Sequence, residues 1–100
     1  MRETTIDRLE QALRDGAALV DVREVAEFRD GHVRGAVNIP MGQLSTRLGE
    51  LDRTRPVLVV CASGNRSSAM TDVLTAAGFD ATNVVGGTRA WVESGRPIEK

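Results

Sequence analysis

One cysteine, one histidine, no tyrosine and three aromatic residues in 100 positions define this sequence first by what it does without. The single cysteine, Cys61, forms no intramolecular disulfide. With His32 as the only histidine, a zinc site made of protein Cys and His ligands has too few donors and is not expected; no organic cofactor is expected either. Phe28, Phe79 and Trp91 leave the core to be built from Val, Leu, Ile and Ala. Neither sign of charge dominates. The 13 basic and 14 acidic residues give a formal net charge of −1 and no general field for nucleic acid or an anionic membrane. The longest apolar run, Val57 to Ala62, falls far short of the roughly 20 residues that a membrane-spanning helix needs. The opening MRETTIDRLEQALRDG has no apolar stretch of the kind a secretory signal carries, so the cytoplasm is the expected location. There is no internal repeat and no low-complexity tract. What remains, 41% apolar and 27% charged, fits one folded domain over residues 1–100 with a core from about 5 to 97.

The apolar pattern alternates between helix and strand periods. Thr4 or Thr5 caps a first helix carrying Ile6, Leu9 and Leu13, and Gly16 stops it. Ala17 to Val22 reads as a strand that is apolar except for Asp21, followed by a helical turn from Val25 to Phe28 that ends at Asp30-Gly31. Ala36 to Ile39 is a second strand closed by Pro40, and Met41 to Leu51 supports a helix. Val57 to Val60, entered through Pro56, is a buried strand. Ser67 to Ala77 is a helix with Ala69, Met70, Val73, Leu74 and Ala77 on one face. Ala81 to Val85 is a further strand, and Gly86-Gly87-Thr88 opens a last short helix bearing Trp91. The segment Pro97 to Lys100 is polar. Apolar strands separated by amphipathic helices predict an α/β fold: a parallel sheet of four or five strands with helices on both faces. Ligands of such sheets lie at the carboxyl ends of the strands, and the most apolar strand runs straight into Cys61.

The segment Cys61-Ala-Ser-Gly-Asn-Arg66-Ser67 places a thiol between a strand and a helix. Ala62, Ser63 and Gly64 carry little bulk, so the backbone can curl around the sulfur. The loop amides, with the free N–H groups of a helix beginning near Ser67, then form an anion cradle reinforced by the helix dipole. Such a field favours thiolate, against an ordinary thiol pKa of about 8.5, and equally favours the terminal sulfur of a persulfide. Arg66 adds a fixed charge with a planar fork of donors suited to an oxyanion. A lone cysteine in an apolar setting is commonly an inert core residue. The polar turn, the arginine five positions on and the following helix favour the reactive alternative here.

Several stretches together resemble the single-domain rhodanese pattern. They are Asp21-Val-Arg23, Glu27-Phe28, Gly31-His32-Val-Arg-Gly35-Ala36-Val-Asn38-Ile39-Pro40, the cysteine loop, and Gly86-Gly87 with Trp91. The resemblance extends from about Thr5 to Pro97 in matching order and spacing. It implies the rhodanese-like three-layer fold and a sulfurtransferase. Cys61 would accept sulfane sulfur from a donor such as thiosulfate and pass it to a thiophilic acceptor such as cyanide or a thiol. Loop residues Ala62 to Ser67 would hold the anionic sulfur, Arg66 would orient the donor, and a sulfur-trafficking protein would be a fitting partner. The resemblance also bears on substrate. Phosphatases and arsenate reductases of the same fold carry one more residue between cysteine and arginine, whereas Cys61 and Arg66 enclose four, the shorter, sulfur-transfer ring. Ala62 stands where many members have a basic or bulky polar residue. Glu27 occupies the position where the two-domain thiosulfate enzymes carry a second arginine. Less positive charge at the mouth favours a persulfide donor over thiosulfate.

Asp21 and Arg23 are expected to support the loop, Asp21 by bonding amides and Arg23 by pairing with Glu27. His32 is weighed as a general acid or base but reads better as a turn residue. Gly35, Asn38 and Pro40 are turn and strand-end punctuation, and Trp91, Met41 and Met70 are core. Gly86-Gly87 opens a helix, and Ser67 and Ser68 cap the helix after the loop. Arg34, Arg47, Arg53 and Arg55 form a solvated face in preference to a docking surface. Two rivals to sulfur transfer are a phosphatase or arsenate reductase, disfavoured by loop length, and a partner-binding module without catalysis. Such modules generally lack the cysteine that this chain keeps.

Overall fold

The computed structural model describes residues 1–100. Its centre is a five-stranded parallel sheet in the order β1-β6-β5-β2-β4, made of β1 (Glu3–Thr4), β2 (Ala18–Asp21), β4 (Val37–Asn38), β5 (Val57–Val60) and β6 (Ala81–Val84). A separate antiparallel pair joins β3 (His32–Val33) to β7 (Ile98–Glu99). Four helices connect the strands: α1 (Ile6–Arg14), α2 (Val25–Asp30), α3 (Asn65–Ala76) and α4 (Gly87–Glu93). The expected parallel α/β sheet is present, with five strands.

β5 explains the layering. It lies between β2 and β6, in register from Ala18↔Val57 to Asp21↔Val60 and from Val57↔Ala81 to Val59↔Asn83, so both of its edges are paired. Side chains alternate along a strand. Val57, Val59 and Cys61 therefore join one apolar cluster with Leu44, Leu74 and Phe79, under α3 and the segment after β4. Leu58 and Val60 join another with Leu9, Val84 and Trp91, under α1 and α4. Leu9, Leu44 and Leu74 are completely buried, and truncating any one of them to Ala costs about 2–5 kcal/mol. The thiol of Cys61 thus points to the α3 side of the sheet.

Local signals set the connections. Thr5 accepts from the Arg8 N–H at 3.4 Å and caps α1, with Asp7 in the first turn and Arg14 in the last, as the helix dipole favours. Glu24 and Glu27 form a capping box that starts α2.

Residues Met41 to Leu51 are not the α-helix their composition predicted. They form two 3₁₀ segments, Met41–Thr46 and Leu48–Glu50, broken at Arg47, whose φ is −121°. Gly42 and Gly49 weaken helical propensity, and Leu44, Leu48 and Leu51 still reach the core from the tighter winding. The sequence reading also gave no strand to either end of the chain. Two-residue strands carry too little pattern to read, yet β1 pairs with β6 and β7 with β3. No helix is long and apolar enough to cross a membrane.

Candidate active site

Three strands deliver the site at their carboxyl ends: β5 leads into Cys61, β2 ends at Asp21 and β6 ends beside the glycine pair. Cys61 is 1% exposed. Its carbonyl accepts from the Thr88 N–H at 2.9 Å, and the Ala62 carbonyl accepts from the Arg89 N–H at 3.0 Å. The first turn of α4 therefore holds both carbonyls away from the sulfur. In a planar trans peptide the N–H points opposite to the C=O, so tying back the Ala62 carbonyl turns the Ser63 N–H toward the sulfur. This contact demands a glycine at 87. A Cβ there would lie 2.5 Å from the Cys61 oxygen and 2.7 Å from the Ala62 oxygen, and the φ of +60° already disfavours any side chain.

The loop then curls at Gly64, whose φ of +111° only glycine adopts without strain, and whose N–H donates to Cys61 Sγ at 3.1 Å. Because that turn caps α3, the helix starts at Asn65, two residues earlier than expected, and Ser67 and Ser68 are not its caps. The Ser67 hydroxyl instead lies 3.3 Å from Sγ and donates to Asn83 Oδ1 at 2.6 Å. Burial pushes the Cys61 thiol pKa up. The Ser67 hydroxyl and the backbone N–H groups of Ser67, Gly64 and Ser63 outweigh it, and the net result lies below the ordinary thiol value. The amides that face the sulfur are thus those of Ser63, Gly64 and Ser67, a subset of the cradle that the sequence outlined.

Four charges sit behind this loop, and their pairing differs from the expectation for Arg23. Arg23 bonds Asp21, with Nε and Nη2 2.8–3.0 Å from its carboxylate, and its Nη2 also donates to the Gly31 carbonyl at 2.8 Å. Asp21 is fully buried, so its carboxylate needs a cation close by, and Arg23 leaves the same strand end only two residues on. Asp21 also accepts from the Arg23 N–H at 3.0 Å, while the Asn38 amide donates to the Asp21 and Arg23 carbonyls and fixes the end of β2. Glu27, displaced from Arg23, takes Arg66 instead in a two-pronged pair of 2.7 and 2.9 Å. The Arg66 hydrogen bonds hold the Glu27 carboxyl at about 2, and the same pairing raises the Arg66 pKa. A shallow groove of about 380 Å³ runs beside the loop, lined by Ala62, Glu27, Gly31, Arg89 and Val92. The other hollow, with Arg2, Arg8 and Asp80, lies at the opposite end of the sheet, away from Cys61.

Among the remaining candidates, His32 stacks on Phe28 with ring centroids 3.6 Å apart, and its Nδ1 lies 2.8 Å from the Phe28 carbonyl oxygen. It opens β3, opposite Glu99, and serves as a local structural residue instead of the turn residue that was expected. Trp91 is core, 3% exposed, and donates to the Pro97 carbonyl. Sequence reasoning missed three contributors: Asn83, the Glu27 side chain as the partner of Arg66, and Gly87 as a close-approach residue. Only Asn83 left a trace, as a polar residue inside an apolar strand.

The family model described as a rhodanese-like domain matches residues 5–94. Two Bacillus subtilis (strain 168) proteins are similar in sequence. One is named "Putative sulfurtransferase YtwF" and is 37% identical over 79 residues, covering 79% of this chain and 77% of that protein. The other is named "Putative sulfur carrier protein YrkF" and is 36% identical over 74 residues, which is 73% of this chain but 40% of that protein. Among solved structures, a rhodanese-related protein from Thermoplasma volcanium superimposes with a TM-score of 0.93 at 31% identity, covering 99% of this chain and 98% of that one. A thiol cradled by backbone amides at the end of a central parallel strand, together with a family match over nine-tenths of its length, makes this chain a member of the rhodanese-like domain family.

Proposed function

We propose that this domain is a sulfurtransferase in which Cys61 carries sulfane sulfur as a persulfide. The observation that carries the reading is the setting of Sγ: buried, close to three inward N–H groups and a hydroxyl, with its pKa lowered. That environment favours a thiolate and offers the same donors to a terminal persulfide sulfur.

The chemistry is a two-step displacement. Cys61 thiolate attacks the outer sulfur of a donor and forms an S–S bond. With thiosulfate, the bond between the outer and sulfonyl sulfurs breaks and sulfite leaves with the electron pair. With a persulfide donor, the departing group is a thiolate. An acceptor such as cyanide or a thiol then attacks the outer sulfur, and the electron pair of the Cys61–sulfur bond returns to Cys61 as thiolate. No redox partner, metal or organic cofactor enters either step.

Arg66 is engaged by Glu27, so the four groups Asp21, Arg23, Glu27 and Arg66 sum to zero charge at the mouth. A dianion approaching a thiolate finds Arg66 tied to Glu27, and the guanidinium without a carboxylate partner in the groove is that of exposed Arg89, on α4. A protein or small-molecule persulfide carries less charge and meets less repulsion, which makes it the preferred donor, and a sulfur-trafficking protein a fitting source or recipient.

Intact-mass spectrometry before and after thiosulfate, and before and after a small persulfide, tests the reading alongside Cys61→Ser. One added sulfur that cyanide removes, absent in the variant, is the expected result. A native protein that gains no sulfur from either donor would overturn it.

A further inference from the structure

The Ser67 hydroxyl has one proton and two neighbours that want it. Asn83 Oδ1 stands 2.6 Å from Ser67 Oγ, and Cys61 Sγ stands 3.3 Å from it. The distance to Oδ1 is that of an O–H···O bond with the proton between the oxygens. The Asn83 amide is itself oriented, because Nδ2 faces the Gly64 carbonyl at 3.4 Å and the reversed amide would set two acceptors against each other. Nothing in this trio reaches solvent. Ser67 is fully buried, Asn83 is 2% exposed and Cys61 1% exposed. Asn83 is placed there by register. It lies level with Val59 on β5, on the face of the sheet to which Cys61 also points. The Thr71 hydroxyl, bonded to the Ser67 carbonyl at 2.7 Å, pins the Ser67 backbone from the next turn of α3.

We propose that Asn83 is a positioning residue that competes with Cys61 for the Ser67 hydroxyl proton, so that the charge on the sulfur decides which way the hydroxyl points. With a neutral thiol, Ser67 donates to Asn83 Oδ1 and accepts from the S–H. With a thiolate, the hydroxyl turns to the sulfur and leaves Asn83 Oδ1 without a donor in a buried site. An orphaned buried carbonyl is unfavourable. Asn83 thereby holds the thiolate less stable than Ser67 and the amides alone would make it. A sulfur that must both accept and release sulfane sulfur needs this restraint, because an over-stabilised thiolate is a weaker nucleophile. The charged groups near the sulfur are Arg66 on α3 and, behind it, Asp21 and Arg23 from β2 and Glu27 on α2. β6 contributes Asn83, and α4 contributes Gly87 and Thr88, none of which titrates, together with the exposed guanidinium of Arg89 at the groove. The device rests on Cys61 being the nucleophile proposed above.

Alkylation of the protein's single thiol by iodoacetamide across pH reads its pKa without requiring any sulfur transfer. Asn83→Leu removes the competing acceptor, and Asn83→Val does so with a side chain suited to a strand. In either folded variant, checked by thermal melting, the Cys61 pKa is expected to fall by about one unit. In a Ser67→Ala background the same substitution should leave the pKa where Ser67→Ala alone puts it. An unchanged or raised pKa, or a fall that persists without Ser67, overturns the proposal. A second measurement needs no change at 83. The S–H infrared band of the native protein in its thiol form should be shifted down by donation to Ser67 and move to the free position in Ser67→Ala; a free band in the native protein also overturns it. Persulfide mass gain is scored separately. Loss of that gain with the titration shifts intact removes the sulfurtransferase reading and leaves the hydroxyl competition standing, and the reverse outcome does the opposite.

Discussion

Two arginine–carboxylate pairs stand behind the cysteine loop, and they differ in nearly every respect that matters. Asp21–Arg23 is local in sequence and closed to water, with side chains 0% and 8% exposed. Glu27–Arg66 joins α2 to α3 across 39 residues and leaves about a third of each side chain exposed. The first anchors the end of β2, and its guanidinium reaches on to the Gly31 carbonyl. On the proposed function, the second governs whether Arg66 is open to an incoming anion. A buried pair is costly to break but says little about function, while a half-exposed pair contributes little to stability and can be exchanged for a ligand.

The largest effect should come from breaking the buried pair. Arg23→Met leaves Asp21 charged and unpaired in the interior, and a loss of about 3–5 kcal/mol is expected in urea unfolding. A loss under about 1 kcal/mol would mean that the carboxylate finds other partners and that the two pairs are alike after all. Next, Glu27→Gln should leave stability within about 1 kcal/mol while freeing Arg66 for an anion. On the proposed function, kcat/KM for thiosulfate should rise about tenfold, and that for a small persulfide donor should change by less than about twofold, as expected for removing one partly screened charge near a dianion. Equal gains for both donors would show that Glu27 does not select by charge. The smallest effect lies in acid. Glu27 is held at about 2 against an ordinary 4.5, so its pairing stabilises the fold fully above about 4.5 and is lost as pH falls toward 2. The stability difference between the native protein and Glu27→Gln, under about 1 kcal/mol because the pair is partly solvated, should therefore shrink over that window. A difference that is constant from neutral pH to 2 would contradict the pairing.

The same two pairs mark how far the sequence could be read. Cys61, the small residues after it, Arg66 and the strand ahead of them form one short string, and a string carries its own geometry. Asp21 and Arg23 were legible as strand-end residues for the same reason. Who pairs with whom was not legible, because Arg23 and Glu27 sit four residues apart at a spacing that suits either partner. The choice fell to Arg66, brought in from 39 positions away. Asn83, and the close approach that requires glycine at 87, escaped notice on similar grounds. Their importance lies wholly in what the sheet register and the docking of α4 set against the loop. The region from Met41 to Thr46 was misread because apolar spacing suits a 3₁₀ coil and an α-helix almost equally.

The hydrogen bonds from Thr88 and Arg89 to the loop carbonyls have a consequence for reactivity. The cysteine lies about three-fifths of the way along the chain, but the Ser63 amide beside it is held inward through the docking of α4, more than 20 residues later, at Gly87. Without that docking, the Ala62 carbonyl loses its tether and the cradle around Cys61 loses the constraint on one of its three amides. On the proposed function, the reactivity of one side chain then reports that a distant helix is in place.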